Sequence, residues 1–180
     1  MRIITGSARG RKLKSLGGEG VRPTSDRVKE ALFSIVQFQI EGRRILDLFA
    51  GNGQLGLEAL SRGAEHAVFV DSSSKALAVV RENIEVCGFS DKSRTVHSDA
   101  AAYLARCREK FDVAFLDPPY GSNMLEKTLP MLAPRMNPGG TILCESDAKK
   151  ELPETAGDFI RDRIYRYGKI AVTRYQKPLD

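Results

Sequence analysis

A chain of 180 residues, 42% of them hydrophobic, can bury the core of one domain and leaves no room for a second large one. No apolar run approaches the roughly twenty residues that cross a bilayer, and no apolar segment follows Arg2 as it would in a secretory signal. The net charge of +5 is concentrated in residues 1–44, which hold ten Lys/Arg and four Asp/Glu. We therefore expect a single cytoplasmic domain, residues 1–180, whose first quarter is basic.

Residues 1–20 are predicted to form a basic N-terminal arm or small hairpin. Segments 3–5 and 11–14 flank two glycines as paired strands would, and the glycine-rich stretch 17–20 is predicted to be a flexible hinge. Residues 1–14 contain no acid, and their basic residues are Arg2, Arg9, Arg11, Lys12 and Lys14. A charge run of this kind is often only a solvated face. Residues 21–180 are predicted to form the cofactor-binding catalytic core of the same domain.

From residue 21 onward, helical and strand patterns alternate. A helix begins at Thr24 or Ser25, after Pro23, and ends before Gly42. The predicted strands are 44–49, 67–71, 93–97, 112–116 and 140–145, and the predicted helices between them are 54–62, 73–87, 100–107 and 123–133. Residues 163–167 and 169–174 are predicted to pair as a β-hairpin around Gly168, and 148–157 fits no pattern. The alternation predicts an α/β fold with a doubly wound, mostly parallel sheet.

A glycine-rich turn follows the first predicted strand, and a helix pattern begins after it. Strand, glycine turn and helix together let a cofactor approach bare backbone at a helix N-terminus. The predicted cofactor-binding residues of the turn are Phe49, Ala50, Gly51, Asn52 and Gly53. The spacing Gly51-x-Gly53-x-x-Gly56 also satisfies the dinucleotide fingerprint, so a nicotinamide or flavin enzyme is an alternative.

Asp47 favours a cationic cofactor over a dinucleotide. It lies four residues before Gly51, where a carboxylate would repel a diphosphate and attract an ammonium or sulfonium group. Because S-adenosylmethionine carries both of these cations, it is the predicted cofactor.

Acidic residues also follow later strands of the predicted sheet. Asp71 is about twenty residues beyond the glycine turn, where a carboxylate can accept both ribose hydroxyls, and Asp99 can accept from an adenine amino group. Each aspartate alone is more often a helix cap or turn residue. Four of them at successive strand ends predict one ligand site at the carboxyl edge of the sheet. The predicted cofactor-binding residues outside the glycine turn are Arg22, Thr24, Asp47, Asp71, Ser72, Asp99, Ala100 and Asp117.

The tetrapeptide Asp117-Pro118-Pro119-Tyr120 follows a buried-strand pattern, 113–116. Two consecutive prolines stiffen the loop and remove two backbone donors, so its carbonyls can accept from another group. Asp117 and the Pro118 carbonyl can accept both hydrogens of an exocyclic amine while Tyr120 stacks on the ring. A rigid turn that ends a strand is the simpler alternative. We interpret Asp117, Pro118, Pro119 and Tyr120 as the catalytic site of a nucleobase amino-methyltransferase.

A base-modifying site changes the interpretation of the basic arm. Beside such a site, positive charge is better explained as a surface that binds nucleic-acid phosphates. The predicted RNA-binding residues are Arg2, Arg9, Arg11, Lys12, Lys14 and Arg22.

Five segments, 1–6, 9–13, 22–33, 47–51 and 55–64, are similar to those of the RsmD-type family of bacterial small-subunit rRNA guanine-N2 methyltransferases. The resemblance extends to about Tyr175, with mild departures at Asn52, where serine is usual, and at Lys29, where arginine is common. It implies a Rossmann-like sheet of seven strands, one of them antiparallel, and S-adenosylmethionine as methyl donor. It also implies guanine N2 of 16S rRNA, within a ribosomal particle or assembly intermediate, as the methyl acceptor.

Other functions are compatible with the same residues. The pocket alone permits adenine N6 or cytosine N4 as well as guanine N2. A DNA amino-methyltransferase would share the pocket but usually adds a target-recognition domain. A non-catalytic RNA-binding protein with a relic cofactor fold is a further class, and a dehydrogenase is a distant alternative.

The cysteines and histidines predict no metal site. His66 and His97 are isolated, and the chain has no C-x-x-C pair. Cys87, Cys107 and Cys144 are predicted to be reduced, buried thiols.

Overall fold

The structure is a computed structural model that describes residues 1–17 and 24–179. Its helices are α1 (Asp26–Ile35), α2 (Gln54–Ser61), α3 (Ser74–Cys87), α4 (Ala100–Arg106) and α5 (Met124–Leu132). Its strands are β1 (Arg44–Asp47), β2 (His66–Asp71), β3 (Ser93–His97), β4 (Phe111–Leu116), β5 (Met136–Asp147), β6 (Thr155–Ala156), β7 (Phe159–Tyr167) and β8 (Ile170–Gln176). No helix in the described ranges is long and apolar enough to cross a membrane.

All eight described strands form one sheet in the order β3-β2-β1-β4-β5-β8-β7-β6. Strands β1 to β5 are mutually parallel, and β8 runs antiparallel between β5 and β7. The predicted fold class and C-terminal hairpin are confirmed. The expected count of seven strands is wrong by one, because the two-residue strand β6 pairs with the edge of β7. Strand β6 lies in the stretch 148–157, and two residues are too few to show the alternation of apolar and polar side chains that identifies a strand.

Apolar side chains cover both faces of the sheet. In β1, Ile45 faces a core formed with α1, α2 and α3, and Leu46 faces a second core formed with α4 and α5. Strands β2 and β4 divide their side chains between the two cores in the same way. This double burial is why the parallel strands appear in the sequence as continuous apolar runs rather than alternating ones.

Helix ends follow the capping residues in the sequence. The Ser25 hydroxyl accepts from the Val28 N–H at the start of α1, and the Ser73 hydroxyl accepts from the Ala76 N–H at the start of α3. Gly88, with φ of +75°, ends α3. The predicted helix after Thr24 or Ser25 is therefore confirmed, and β1 ends two residues before the predicted boundary. The residues Arg22 and Pro23 and the predicted hinge at 18–20 lie outside the described residues.

The N-terminal residues form a hairpin, one of the two predicted forms of the arm, and it packs against the core. The Ile3 N–H donates to the Arg11 carbonyl at 3.0 Å, and Gly10 N–H donates back to Ile3 at 2.9 Å. Ile3 and Leu13 are buried in the same core as α1 and α2. The arm alternates basic residues with apolar ones, and burial of the apolar set against the domain stabilises the hairpin in this position.

Glu58 of α2 attaches this hairpin to the domain. Its two carboxylate oxygens accept from the backbone N–H groups of Ile4 and Thr5, at 2.8 and 3.1 Å. Gly6 then passes so close to α2 that a Cβ there would lie 1.8 Å from the Ser61 carbonyl oxygen. Only glycine fits this contact, so the basic hairpin is held at a fixed position on α2.

Candidate active site at the carboxyl edge of the sheet

The glycine turn connects β1 to α2 at the edge where the parallel strands end. Gly51 and Gly53 have φ of +59° and +84°, values that favour glycine, and the turn closes through a 2.8 Å bond from the Gly53 N–H to the Ala50 carbonyl. At Gly56 a Cβ would lie 2.3 Å from the Phe69 ring, so this glycine allows α2 to approach β2 closely. Phe49 is half-buried, and Ala50 is buried beside it.

Asp47 lies beneath the turn rather than at its surface. Its side chain is 2% exposed and accepts a hydrogen bond from the Gly56 N–H at 3.0 Å. It thus satisfies a backbone donor in the first turn of α2, a role that the sequence analysis did not foresee. Burial raises the pKa of Asp47 to about 7. The predicted attraction to a cationic ligand stays a prediction, weakened by partial protonation at neutral pH.

Asp71 and Asp99 both bind backbone N–H groups. Asp71 accepts from Gly51 through Oδ2 and from Ser73 through Oδ1, each at 2.9 Å, so it holds the glycine turn against the start of α3. Asp99 caps α4 by accepting from the Ala102 N–H at 2.8 Å. A carboxylate has about four acceptor positions, so these bonds leave capacity for ligand hydroxyl or amino groups. Their contacts with a cofactor stay predictions, as do those of the exposed Ser72 and the buried Ala100.

Asn83 is a structural residue of the turn that the sequence analysis missed. It is 1% exposed on α3, and its Nδ2 donates to the Asn52 carbonyl at 2.9 Å and to the Lys14 carbonyl at 3.0 Å. The glycine turn, α3 and the hairpin are therefore tied together by one amide. The available signal was a polar residue in the apolar stripe formed by Val80 and Ile84.

The tetrapeptide predicted to be catalytic, residues 117–120, begins where β4 ends, next to the glycine turn. Strands β1 and β4 are adjacent and parallel, so Asp117 follows β4 at the same edge at which Asp47 ends β1. Asp117 is half-buried and Pro118 is buried, whereas Pro119 and Tyr120 are exposed. The structure thus brings the predicted base site and the predicted cofactor turn together at the point where the strand order reverses, which is where ligands of open α/β sheets bind.

Glu145 is a second acidic residue at this site, and the sequence analysis missed it. In the β4–β5 register Leu116 pairs with Cys144, so the residues that follow them, Asp117 and Glu145, emerge side by side. Glu145 is 5% exposed and accepts from the Tyr120 hydroxyl at 3.1 Å. The sequence signal was an acid at the end of the apolar run 142–144, the same pattern that identified the four aspartates.

Thr24 lies between these two carboxyls. Its hydroxyl is 3.2 Å from Asp117 Oδ2 and 3.4 Å from Glu145 Oε2. Burial and the neighbouring Glu145 charge raise the pKa of Asp117 well above its ordinary value, opposed by the Thr24 hydrogen bond. Burial likewise raises the pKa of Glu145, opposed by the hydrogen bonds from Tyr120 and Thr24. Because both carboxyls contact one hydroxyl, we expect the protonation of each acid to affect that of the other.

The basic side chains of the hairpin lie on its outer surface. Those of Arg2, Arg9, Arg11, Lys12 and Lys14 are all exposed, and Lys14 pairs with Glu82 at 3.0 Å in a contact open to solvent. Their predicted binding to RNA phosphates stays a prediction, and Arg22 lies outside the described residues.

Cys87, Cys107 and Cys144 are buried, free thiols, as predicted. In the described part of the chain, no three His, Cys, Asp or Glu residues are grouped so that they could hold a metal ion.

The chain was compared with known proteins. The model of a family described as conserved hypothetical protein 95 matches residues 1–176. The chain belongs to this family. A similar protein is YlbH of Bacillus subtilis (strain 168), a candidate rRNA methyltransferase by name, which is 42% identical over 182 residues covering 98% of this chain and 99% of that protein. Ribosomal RNA small subunit methyltransferase D of Escherichia coli (strain K12) is 34% identical over 179 residues, covering 98% of this chain and 90% of that protein.

A solved structure has the same fold. The candidate methyltransferase yhhF of Escherichia coli superposes with a TM-score of 0.88 at 34% identity, covering 100% of this chain and 99% of that one. The family resemblance and the Rossmann-like methyltransferase fold are thereby confirmed, and the chain is a member of an rRNA methyltransferase family.

Proposed function

We propose that the protein transfers a methyl group from S-adenosylmethionine to the exocyclic N2 of a guanine in small-subunit (16S) ribosomal RNA. The observation that carries this proposal is the position of Asp117-Pro118-Pro119-Tyr120 beside the glycine turn. An acceptor for an amine and a stacking ring are thereby adjacent to a turn that suits a nucleoside cofactor. The names of relatives support the ribosomal substrate.

The residues of the glycine turn and its neighbours fit S-adenosylmethionine. Asp71 fixes the turn through Gly51 and retains acceptor capacity for ribose hydroxyls. Gly51 and Gly53 adopt the left-handed conformations that let the turn fold closely around a ligand. When bound, S-adenosylmethionine supplies an electrophilic methyl group that the amine takes in a single displacement.

The catalytic loop positions the amine and adjusts its electronic state. An exocyclic amine is a poor nucleophile because its lone pair is delocalised into the ring. When Asp117 and the Pro118 carbonyl accept the two N–H hydrogens, they orient the lone pair, and Asp117 is placed to take the proton that the amine loses. Tyr120 is 41% exposed, so its ring can stack on a base that has left its helix. Positioning and electrostatics, rather than a covalent enzyme intermediate, supply the acceleration.

Analysis of modified nucleosides tests the reaction and the base together. We expect N2-methylguanosine in small-subunit rRNA to be lost from cells that lack the protein and restored by the wild type, but not by Asp117→Ala. If N6-methyladenosine or N4-methylcytidine were lost instead, the substrate base would be adenine or cytosine rather than guanine. Unchanged nucleosides in all strains would contradict the proposal.

The preferred substrate is a ribosomal particle or assembly intermediate rather than naked rRNA. The hairpin is fixed on α2, so its basic side chains form a surface of fixed shape that suits a preformed RNA surface. Initial rates on deproteinised 16S rRNA and on small-subunit particles test this choice. Faster methylation of naked rRNA would contradict it.

A further inference from the structure

When both acids are charged, Thr24, Asp117 and Glu145 together hold one hydrogen for two contacts between oxygen atoms. The Thr24 hydroxyl has one hydrogen, yet its oxygen lies within hydrogen-bond distance of a carboxylate oxygen on each acid. With two ionised carboxylates, one of these contacts would be an oxygen–oxygen approach without a hydrogen. One additional proton removes that conflict.

The surroundings also favour one proton on the pair. Glu145 is 5% exposed and the neighbouring Thr24 is 7% exposed, so water screens the carboxylate charge of Glu145 poorly. The described charges that act on Asp117 are those of Glu145 and Asp47, which are both acids. No ion pair in the described ranges involves Asp117 or Glu145. Among residues 1–17 and 24–179, the side chains that hydrogen-bond to Glu145 are the hydroxyls of Thr24 and Tyr120.

We propose that Glu145 is a positioning residue that holds the single proton of the Asp117–Glu145 pair while the amine is bound. Its O–H donates to the Thr24 oxygen, and the Thr24 hydroxyl then donates to Asp117. Asp117 stays ionised because the amine hydrogens stabilise its charge, so it remains an acceptor at the moment of methyl transfer. This inference rests on the proposed assignment of Asp117 to the amine.

The same residue also holds the stacking ring. The second oxygen of Glu145, Oε1, accepts from the Tyr120 hydroxyl, and it can do so whether or not Oε2 carries a proton. Glu145 therefore links the group that aligns the amine to the group that stacks on the base. Loss of the side chain should disturb both.

Replacement of Glu145 by glutamine keeps a hydrogen-bond donor and an acceptor at this position but removes the ability to ionise. In Glu145→Gln the amide oxygen still accepts from Tyr120, and the amide N–H donates to Thr24 as the proposed O–H does. We expect kcat near neutral pH to stay within about threefold of wild type, whereas Glu145→Ala should lose up to about 100-fold through misplacement of the reacting groups. Tyr120→Phe, which keeps the ring and the charges, measures the contribution of the hydroxyl alone.

The pH profile of kcat identifies which acid holds the proton. If it is Glu145, wild-type activity declines at alkaline pH as Glu145 ionises, and Glu145→Gln should lose this alkaline decline while keeping the acidic one. If Asp117 held the proton, Glu145→Gln would instead extend activity to lower pH, because Asp117 would then ionise more easily. That second outcome, or a glutamine variant as impaired as the alanine variant, would overturn the proposal.

Titration of the free protein gives a readout that does not need RNA. Carboxyl-labelled NMR of the wild type should show Asp117 and Glu145 titrating in two coupled steps, and Glu145→Gln should leave a single step for Asp117. Independent, single-step titration of both acids in the wild type would overturn the shared proton. Coupled titration in a protein that methylates no rRNA would instead refute the proposed function and leave the pair intact.

Discussion

Lys29 and Glu58 form a fully buried ion pair beneath the basic hairpin. Lys29 Nζ lies 3.5 Å from Glu58 Oε1 and donates to the Arg2 carbonyl at 2.7 Å, and neither side chain is exposed. Burial lowers the pKa of Lys29, and the adjacent Glu58 opposes that change. One ion pair thus connects the hairpin, α1 and α2, the helix that follows the glycine turn.

Removal of Glu58 should therefore destabilise the whole domain. Glu58→Ala leaves the buried Lys29 without its counter-charge and the N–H groups of Ile4 and Thr5 without their acceptor, so we expect a loss of about 3–5 kcal/mol in the free energy of unfolding. Glu82→Ala, which removes the exposed pair with Lys14, is the matched control and should cost about 0–1 kcal/mol. Denaturant unfolding measures both. Similar small losses would contradict the buried linkage.

Asp47 should make stability depend on pH. Its pKa is about 7 in the folded protein, because of burial, and about 3.9 in an unfolded chain. Between these values the folded state binds a proton that the unfolded state does not, so its contribution to stability grows as pH falls from 7 towards 4. The growth is up to about 1.4 kcal/mol per pH unit.

Asp47→Asn keeps an acceptor for the Gly56 N–H and removes the titration. The stability of the wild type relative to this variant should increase as the pH falls, as measured by denaturant unfolding from pH 4.5 to 7.5. Parallel curves for the two proteins would show that Asp47 does not titrate in this range.

Asp71 should contribute to cofactor affinity. Asp71→Ala removes the proposed ribose acceptor and the acceptor of the Gly51 N–H, so S-adenosylmethionine binding should weaken by about 1.5–3 kcal/mol. Calorimetry measures the change, with Asp158→Ala on the exposed surface as control. If Asp71→Ala bound S-adenosylmethionine with wild-type affinity, Asp71 would only fix the glycine turn and would not contribute to cofactor binding.

Asp117 should be needed for chemistry more than for cofactor binding. Asp117→Ala should abolish detectable methyl transfer to small-subunit particles while S-adenosylmethionine affinity stays within a few fold, because Asp117 is assigned to the amine. Methyl-transfer assays and calorimetry on the same preparation measure both quantities. Unchanged turnover would remove Asp117 from the catalytic site.

The hairpin charges should control RNA affinity without changing the cofactor site. Deletion of residues 1–14 is unsuitable as a test, since it would also remove the buried Ile3 and Leu13. Arg9→Gln with Lys12→Gln keeps the fold, and it should weaken RNA binding and reduce the log–log salt slope by up to about 0.9 per lost duplex phosphate contact. Lys92→Gln with Arg108→Gln, both exposed and outside the hairpin, is the matched control. Equal effects of the two double variants would indicate only general charge attraction.

Signals between residues that are close in sequence predicted most of the fold. Apolar runs, Ser25 and Ser73 at helix starts and Gly88 at a helix end are short-range signals, so the elements from α1 to β5 lie close to their expected ranges. The family, the turn and the acidic strand ends were also apparent, because they are contiguous in sequence. The two-residue strand β6 was missed because it depends on an edge supplied by β7.

The tertiary structure decided which polar groups meet. Thr24, Asp117 and Glu145 are separated by up to 121 residues, and only the pairing of β4 with β5 and the docking of α1 place them around one hydroxyl. The fixed hairpin likewise depends on Glu58, 54 residues from Ile4. Helix capping and the periodicity of buried residues act over a few residues, so they can be predicted from the sequence. Contacts between side chains distant in sequence, and the pKa shifts that they cause, exist only once the sheet is assembled.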